Sequence, residues 1–244
     1  MPKPPPIWLF DLDNTLHNAS HAIFPAINAN MNAYLAKILG DGDTPADEET
    51  VNAARIDYWK RYGATLLGMV RHHHVKQEDF LREAHQFDDL AAMIRAERGL
   101  AKLLKRLPGR KILLTNAPRR YSRDVVRHLG LHRHFAQHIP IESMRVHGQL
   151  RPKPSRQLLR KLIAKERVPA SRCVLVEDTL DNLRSAKALG MRTVWVTQYL
   201  ASNPNLRRLS GQLSLHGFMK RPACADVKVK SVRQLPSRLG RLRK

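Results

Sequence analysis

The chain has 244 residues, 43% of them hydrophobic, enough to bury the core of one large domain or of one domain carrying a smaller insert. Its 43 Lys and Arg against 21 Asp and Glu give a formal charge of +22, which favours anionic partners without choosing between nucleic acid, an acidic membrane surface and small phosphorylated metabolites. No apolar stretch approaches the roughly 20 residues that span a bilayer, the opening Met-Pro-Lys-Pro-Pro-Pro lacks the apolar core of a leader, and Cys173 and Cys224 lie far apart without metal-ligand spacing. A membrane anchor and a disulfide framework are therefore not expected, and a cytoplasmic location is.

The run Ile7-Trp8-Leu9-Phe10 follows a proline breaker and is too short for a helix; it fits a buried parallel strand. Asp11 and Asp13 come next, two residues apart. In extended geometry both project the same way, just beyond the strand end, where open α/β sheets bind ligands. At roughly 4 Å and an effective dielectric near 20, two such anions repel by about 4 kcal/mol, which forces protonation of one or recruits a divalent cation. Hard oxygen ligands suit magnesium. The plainer reading is a strand-to-loop turn, since Asp and Asn14 are common turn formers.

Residues 17–98 show no strand pattern. Apolar positions recur every three or four residues (Ile23, Ile27, Met31, Tyr34, Leu35, Ile38), as expected for helices: one ending near Gly40, a second from about Pro45 to Tyr62, a third around Thr65 to Val70 and another opening near Lys76. His72-His73-His74 point in different directions on any regular element and are not expected to chelate one ion.

Lys111 to Leu114 repeats the apolar-strand logic and ends in Thr115-Asn116, whose hydroxyl and backbone N–H could hold a phosphate oxygen or simply cap the helix that Pro118 opens. A short strand is expected near Ile139 to Ile141. Lys153, fixed between Pro152 and Pro154, precedes a helix from Ser155 to about Arg167. Cys173 to Val176 is a further strand ending in Glu177 and Asp178, followed by Asp181 and Asn182, a helix from Leu183 to Leu189, and a strand at Arg192 to Val196. Residues 200–222 read as a basic loop, Val227 to Val229 as an edge strand and Ser231 to Leu239 as a closing helix. From Asn205 to Lys244 there are eleven Lys or Arg and one acid, Asp226, a bias that usually marks a solvated face.

The alternation of strand and helix predicts an α/β fold, a Rossmann-like parallel sheet with helices on both faces, made by residues 1–16 and 99–244, with residues 17–98 as a small helical cap domain inserted after the first strand. Asp11, Asp13 and Thr15 match Asp-x-Asp-x-Thr, and together with Thr115-Asn116, Lys153 and Glu177-Asp178 they resemble the four ordered motifs of the haloacid dehalogenase-like superfamily. Asp-Leu-Asp-Asn-Thr-Leu-His, Thr-Asn-Ala, Arg-Pro-Lys-Pro and Glu-Asp-Thr-Leu-Asp-Asn-Leu look like its pyrimidine 5′-nucleotidase branch. One departure is Asn182, where many members carry an acid four residues after the Asp178 equivalent.

The resemblance implies a magnesium-dependent phosphomonoesterase acting on a nucleoside 5′-monophosphate, with the pyrimidines UMP and CMP first in line. Asp11 would attack phosphorus and form an aspartyl phosphate, and Asp13 would act as general acid and base. Asp11, the Asp13 carbonyl oxygen and Asp178 would hold Mg2+; Thr115, Asn116 and Lys153 would hold phosphate; and Glu177 would orient Lys153, with Asp181 or Asn182 in support. His17, Tyr58, Trp59 and Tyr62 are candidates for contact with the base or ribose, or else for ordinary packing. Two rival readings stay open: a phosphatase for a sugar phosphate, phosphoglycolate or pyridoxal phosphate, and a nucleic-acid or polyanion binder with a degenerate phosphatase core. The expected partner is a small phosphorylated substrate rather than a membrane, with nucleic acid less favoured. No oligomeric state follows from the sequence.

Overall fold

A computed structural model describes residues 4–200 and 220–242. The described residues fall into two compact units, one comprising those up to His21 together with those from Ile94 onward, the other Ala22–Met93.

In the first unit, β1 (Ile7–Phe10), β2 (Arg110–Leu114), β3 (Gln137–Ile139), β6 (Cys173–Glu177), β7 (Arg192–Val196) and β8 (Val227–Val229) form one six-stranded sheet in the order β3-β2-β1-β6-β7-β8. Every pairing is parallel, so every strand ends on the same edge. The central strands are apolar runs because both faces are covered. On one face Ile7, Leu9, Ile112, Leu114, Cys173 and Leu175 pack with Leu158, Leu159 and Leu162 of α8 (Arg156–Glu166) and with Leu183 and Ala186 of α9 (Leu180–Lys187). On the alternate positions Trp8 stacks on Phe10, and Phe10 meets the edge of Phe135. After β1 the chain builds outward through β2 and β3, then returns to the other side of β1 with β6, so the strand order reverses between β1 and β6. That reversal opens a crevice at the carboxyl ends of these two strands.

The second unit is helical: α1 (Ile23–Leu39), α2 (Glu48–Tyr62), α3 (Thr65–His73), α4 (Gln77–Ala84) and the single turn α5 (Leu90–Met93). Asp47 caps α2 by accepting from the Thr50 N–H at 2.8 Å, so that helix starts later than Pro45. Tyr34 and Phe80 meet edge to face across α1 and α4, and the Arg55 guanidinium bonds Asn28 and Asn32 of α1.

Several boundaries depart from the sequence reading. His17 to His21 and Ile94 to Arg98 belong to the first unit rather than to the insert, where the Asn18 N–H donates to the Arg95 carbonyl at 2.7 Å. Helices α6 (Leu100–Arg106) and α7 (Arg119–His128) complete the first unit, Pro118 standing just outside α7 at its cap. Strand β3 stops at Ile139 because Pro140 cannot continue a ladder. The hairpin of β4 (Arg145–Val146) and β5 (Gln149–Leu150) gives no periodic signal at two residues per strand. Helix α9 begins at Leu180, a turn before Leu183. No continuous helix forms over Ser231 to Leu239; two 3-10 turns, Val232–Gln234 and Pro236–Arg238, lead into a helical turn at Leu239–Leu242, since Pro236 supplies no N–H. Apart from its ends, the expected basic loop at 200–222 lies outside the described residues. Among the described residues no helix is long and apolar enough to cross a membrane.

Candidate active site

Asp11 is the first residue past β1, and its N–H still donates to the Val176 carbonyl of β6 at 3.0 Å, so the backbone carries this carboxylate to the crevice between the two strands. The chain then turns tightly. Asn14 takes φ +58°, which Asn tolerates, and its side-chain amide exchanges two hydrogen bonds with Ser20, which fixes the loop. Asp11 to Asn14 is thus a turn, and one that brings the Asp11 carboxylate to the crevice.

Lys153 Nζ lies 2.6 Å from Asp11 Oδ1 and 2.8 Å from Glu177 Oε2, with all three side chains buried. A side chain adds to the restriction that the flanking prolines place on Lys153. The Asn116 side chain accepts from the Lys153 N–H and donates to the Lys153 carbonyl, each at 3.0 Å, and so pins this backbone to the end of β2. Sequence reasoning missed that role, assigning Asn116 a backbone N–H for phosphate or a helix cap. Thr115 is buried beside it, its hydroxyl oxygen accepting from the Ala117 N–H at 3.1 Å.

Oxygens of Asp11, Glu177 and Asp178 lie within 4.8 Å of one another. Three carboxylates against one ammonium leave an excess of two negative charges when all are ionised. The strain of that excess shows in the acids. Burial, with repulsion from Glu177 and Asp13 added, pushes Asp11 up to about 7 despite Lys153. Burial, then Glu177 and Asp11, holds Asp178 well above the usual carboxylate range. Glu177 goes the other way. Burial works against its charge, but Lys153, the Asp178 side chain and the Thr179 N–H outweigh it and keep it low. Burial alone would depress Lys153, and the two carboxylates more than reverse that.

Four donors fill Glu177: the Asp178 and Thr179 N–H groups on Oε1, Lys153 and the Asn182 side-chain amide on Oε2. Few lone pairs remain on it for an ion, so Asp11 and Asp178 are the better ligands, and their acid-rich setting fits a hard divalent cation. The same contacts separate Asn182 from Asp181. Asn182 is buried and holds Glu177, whereas Asp181 points outward and pairs with Arg184.

Asp13 sits in a different set of partners. Its Oδ1 lies 2.6 Å from the Tyr121 hydroxyl and 2.8 Å from His17 Nε2. His17 is fully buried in the first unit and touches Asp13, so it is not an exposed substrate contact of the helical insert. Tyr121 carried no sequence signal, because a buried aromatic on an amphipathic helix reads as core. The other proposed contacts lie in the second unit. The Tyr58 and Tyr62 hydroxyls are each 2.6 Å from an imidazole, His73 and His72 respectively, while Trp59 is 65% exposed. The three adjacent histidines form no metal cluster among the described residues.

The family model for haloacid dehalogenase-like hydrolases matches residues 7–190, from β1 to the turn after α9. This chain belongs to that family. Solved structures agree in fold. A haloacid dehalogenase-like phosphatase from Thermococcus onnurineus is 18% identical over 96% of this chain and 98% of its own, with a TM-score of 0.61. CbbY from Rhodobacter sphaeroides, solved in complex with phosphate, is 21% identical over 95% and 96%, with a TM-score of 0.61. An L-2-haloacid dehalogenase from Xanthobacter autotrophicus, solved with chloropropionic acid covalently bound, is 17% identical over 97% and 98%, with a TM-score of 0.54. At such identities the likeness is one of fold, and this haloacid dehalogenase-like hydrolase must be assigned its substrate from its own residues.

Proposed function

We propose that this hydrolase is a magnesium-dependent phosphomonoesterase that works through an aspartyl phosphate on Asp11. One observation carries the reading: Asp11, Glu177 and Asp178 cluster with an excess of negative charge, Asp11 and Glu177 sharing a single lysine, while Asp13, two residues from Asp11, has its own hydrogen-bond partners. Such an arrangement suits a dianionic phosphate far better than a haloacid, whose single charge needs no extra cation. Asp11 would attack phosphorus, Lys153 would hold both the nucleophile and the phosphoryl oxygens, and Thr115 would donate to a further oxygen. Magnesium held by Asp11, Asp178 and the Asp13 carbonyl oxygen would supply positive charge between two groups that otherwise repel.

For the substrate we favour a nucleoside 5′-monophosphate, pyrimidine before purine, on the strength of the four motif sequences, with sugar phosphates, phosphoglycolate and pyridoxal phosphate as the competing esters. The helical unit Ala22–Met93 would set leaving-group preference, and Trp59, exposed on α2, is the first residue to test there. The formal charge of +22 supports an anionic substrate and equally suits a polyanion, and RNA affinity that falls steeply with salt would mark the latter.

The test is a hydrolysis profile over nucleoside 5′-monophosphates and the competing esters, with magnesium and with chelator. Expected is release of phosphate, fastest from UMP or CMP, abolished by chelator and by Asp11→Asn. Turnover by Asp11→Asn equal to that of the parent would reject the covalent mechanism. RNA binding without any esterase activity would select the polyanion reading.

A further inference from the structure

The hydroxyl of Tyr121 and Nε2 of His17 both reach the same oxygen, Oδ1 of Asp13, at 2.6 and 2.8 Å. Tyr121 is 3% exposed and His17 fully buried. His17 Nδ1 has no hydrogen-bond partner, so the imidazole proton is best placed on Nε2, where it has an acceptor; on Nδ1 it would be an unsatisfied buried donor. Tyr121 donates likewise through its hydroxyl. Both donors are held by the fold. Tyr121 sits in the first turn of α7, and its ring packs 6.5 Å from that of His17, which follows Asp13 by four residues.

We propose that Tyr121 and His17 are positioning residues that anchor Asp13 Oδ1 and thereby present Oδ2 as the oxygen that exchanges a proton with the leaving group. The inference rests on the phosphomonoesterase reading and deepens it. In the first half-reaction an Asp11 oxygen forms a bond to phosphorus, the bond from phosphorus to the ester oxygen breaks, and that oxygen takes the proton from Asp13 Oδ2. In the second, water forms the new bond to phosphorus and gives a proton to Oδ2, the Asp11 acyl phosphate bond breaks, and Asp11 returns as carboxylate. Two donors fill the lone pairs of Oδ1, so neither proton transfer can use that oxygen without displacing one of them. A carboxyl free to rotate would spend much of its time aimed elsewhere, and misplacement by an ångström costs far more in rate than in binding.

The readout separates this role from simple packing. An alkyl phosphate needs its leaving oxygen protonated, whereas p-nitrophenyl phosphate departs as a stable phenolate and does not. The value of kcat/KM reports only steps through phosphoryl transfer to Asp11, so it isolates the acid role. Tyr121→Phe keeps the ring and removes the O–H; His17→Leu removes the second donor, and His17→Gln offers an N–H in its place. Expected is a loss in kcat/KM of roughly 10- to 100-fold on an alkyl phosphate for Tyr121→Phe and His17→Leu, a change under about twofold on p-nitrophenyl phosphate, and partial recovery with His17→Gln. An equal fall on both esters, or no fall on either, overturns the inference for whichever variants fold. Parent enzyme that releases phosphate from no monoester overturns the phosphomonoesterase reading itself, and this inference with it.

Discussion

Replacing Lys153 with methionine keeps the length and apolar stem of the side chain and deletes one buried charge. In the parent, Nζ lies 2.6 Å from Asp11 and 2.8 Å from Glu177 in a site almost without solvent. Taking one partner from a buried ion pair strands the other, at a cost of about 3–5 kcal/mol. For a chain of 244 residues each kcal/mol is worth about 2–4 °C, so the melting temperature should fall by roughly 6–20 °C at pH 8. The sign with pH is fixed by the groups themselves. The folded pKa of Lys153 is raised, so its contribution is complete below the ordinary lysine value and is lost only as pH rises through the folded one. Asp11 already stands at about 7 with Lys153 present and must rise further without it, so near pH 5.5 it takes up a proton and the penalty shrinks. Urea denaturation of parent and Lys153→Met at pH 5.5 and pH 8, without divalent ions, measures the difference. A deficit below about 1 kcal/mol, or one that does not change with pH, would refute the electrostatic account of this site.

Magnesium should stabilise the parent protein more at pH 8 than at pH 5: the raised folded pKa of Asp11 gives stability present below its unfolded value of 3.8 and lost as pH rises through about 7, which is the charge a divalent ion offsets. Thermal melts with and without the ion check this, and an equal gain at both pH values contradicts it. His138 behaves in the opposite sense. Burial, with Arg119 nearby, lowers it to about 4, so it favours the fold above 6.5 and that contribution is lost as pH falls toward 4, by about 1–2 kcal/mol once its partial exposure is allowed for. Replacing it with Gln, which can still meet Ser122, should flatten the stability profile between those values. Gly68→Ala should destabilise by about 1–3 kcal/mol although alanine favours helix, because the new methyl would lie 2.1 Å from Tyr58 Cγ; an unchanged melting temperature would show that Tyr58 moves freely.

Much of the fold could be read from the chain, for a physical reason. Strands β1, β2, β6 and β7 are covered on both faces, so they appear as apolar runs that stop abruptly at polar residues, and the polar residues at those stops make up the candidate site. Helices of the insert announced themselves through apolar spacing. Less legible were features set by long-range contact. The amide of Asn116 meets the Lys153 backbone 37 residues away, and Tyr121 meets Asp13 at a separation of 108, with nothing local to mark either. His17 looked like the start of the insert because it follows the motif directly, yet its burial under Asp13 keeps it in the sheet unit. Asp181 and Asn182 could not be ranked from sequence; the first turn of α9 turns one outward to Arg184 and the other inward to Glu177.

The proposed chemistry turns on Asp11 as the nucleophile. Protein mixed with magnesium and a phosphate monoester, quenched within one turnover and reduced with borohydride, can be digested and read by mass spectrometry at the peptide spanning Ile7 to Leu16. An acyl phosphate on Asp11 would be converted to homoserine at that position alone, and the conversion should vanish in Asp11→Asn. Phosphate release at full rate with Asp11 never converted would contradict the account.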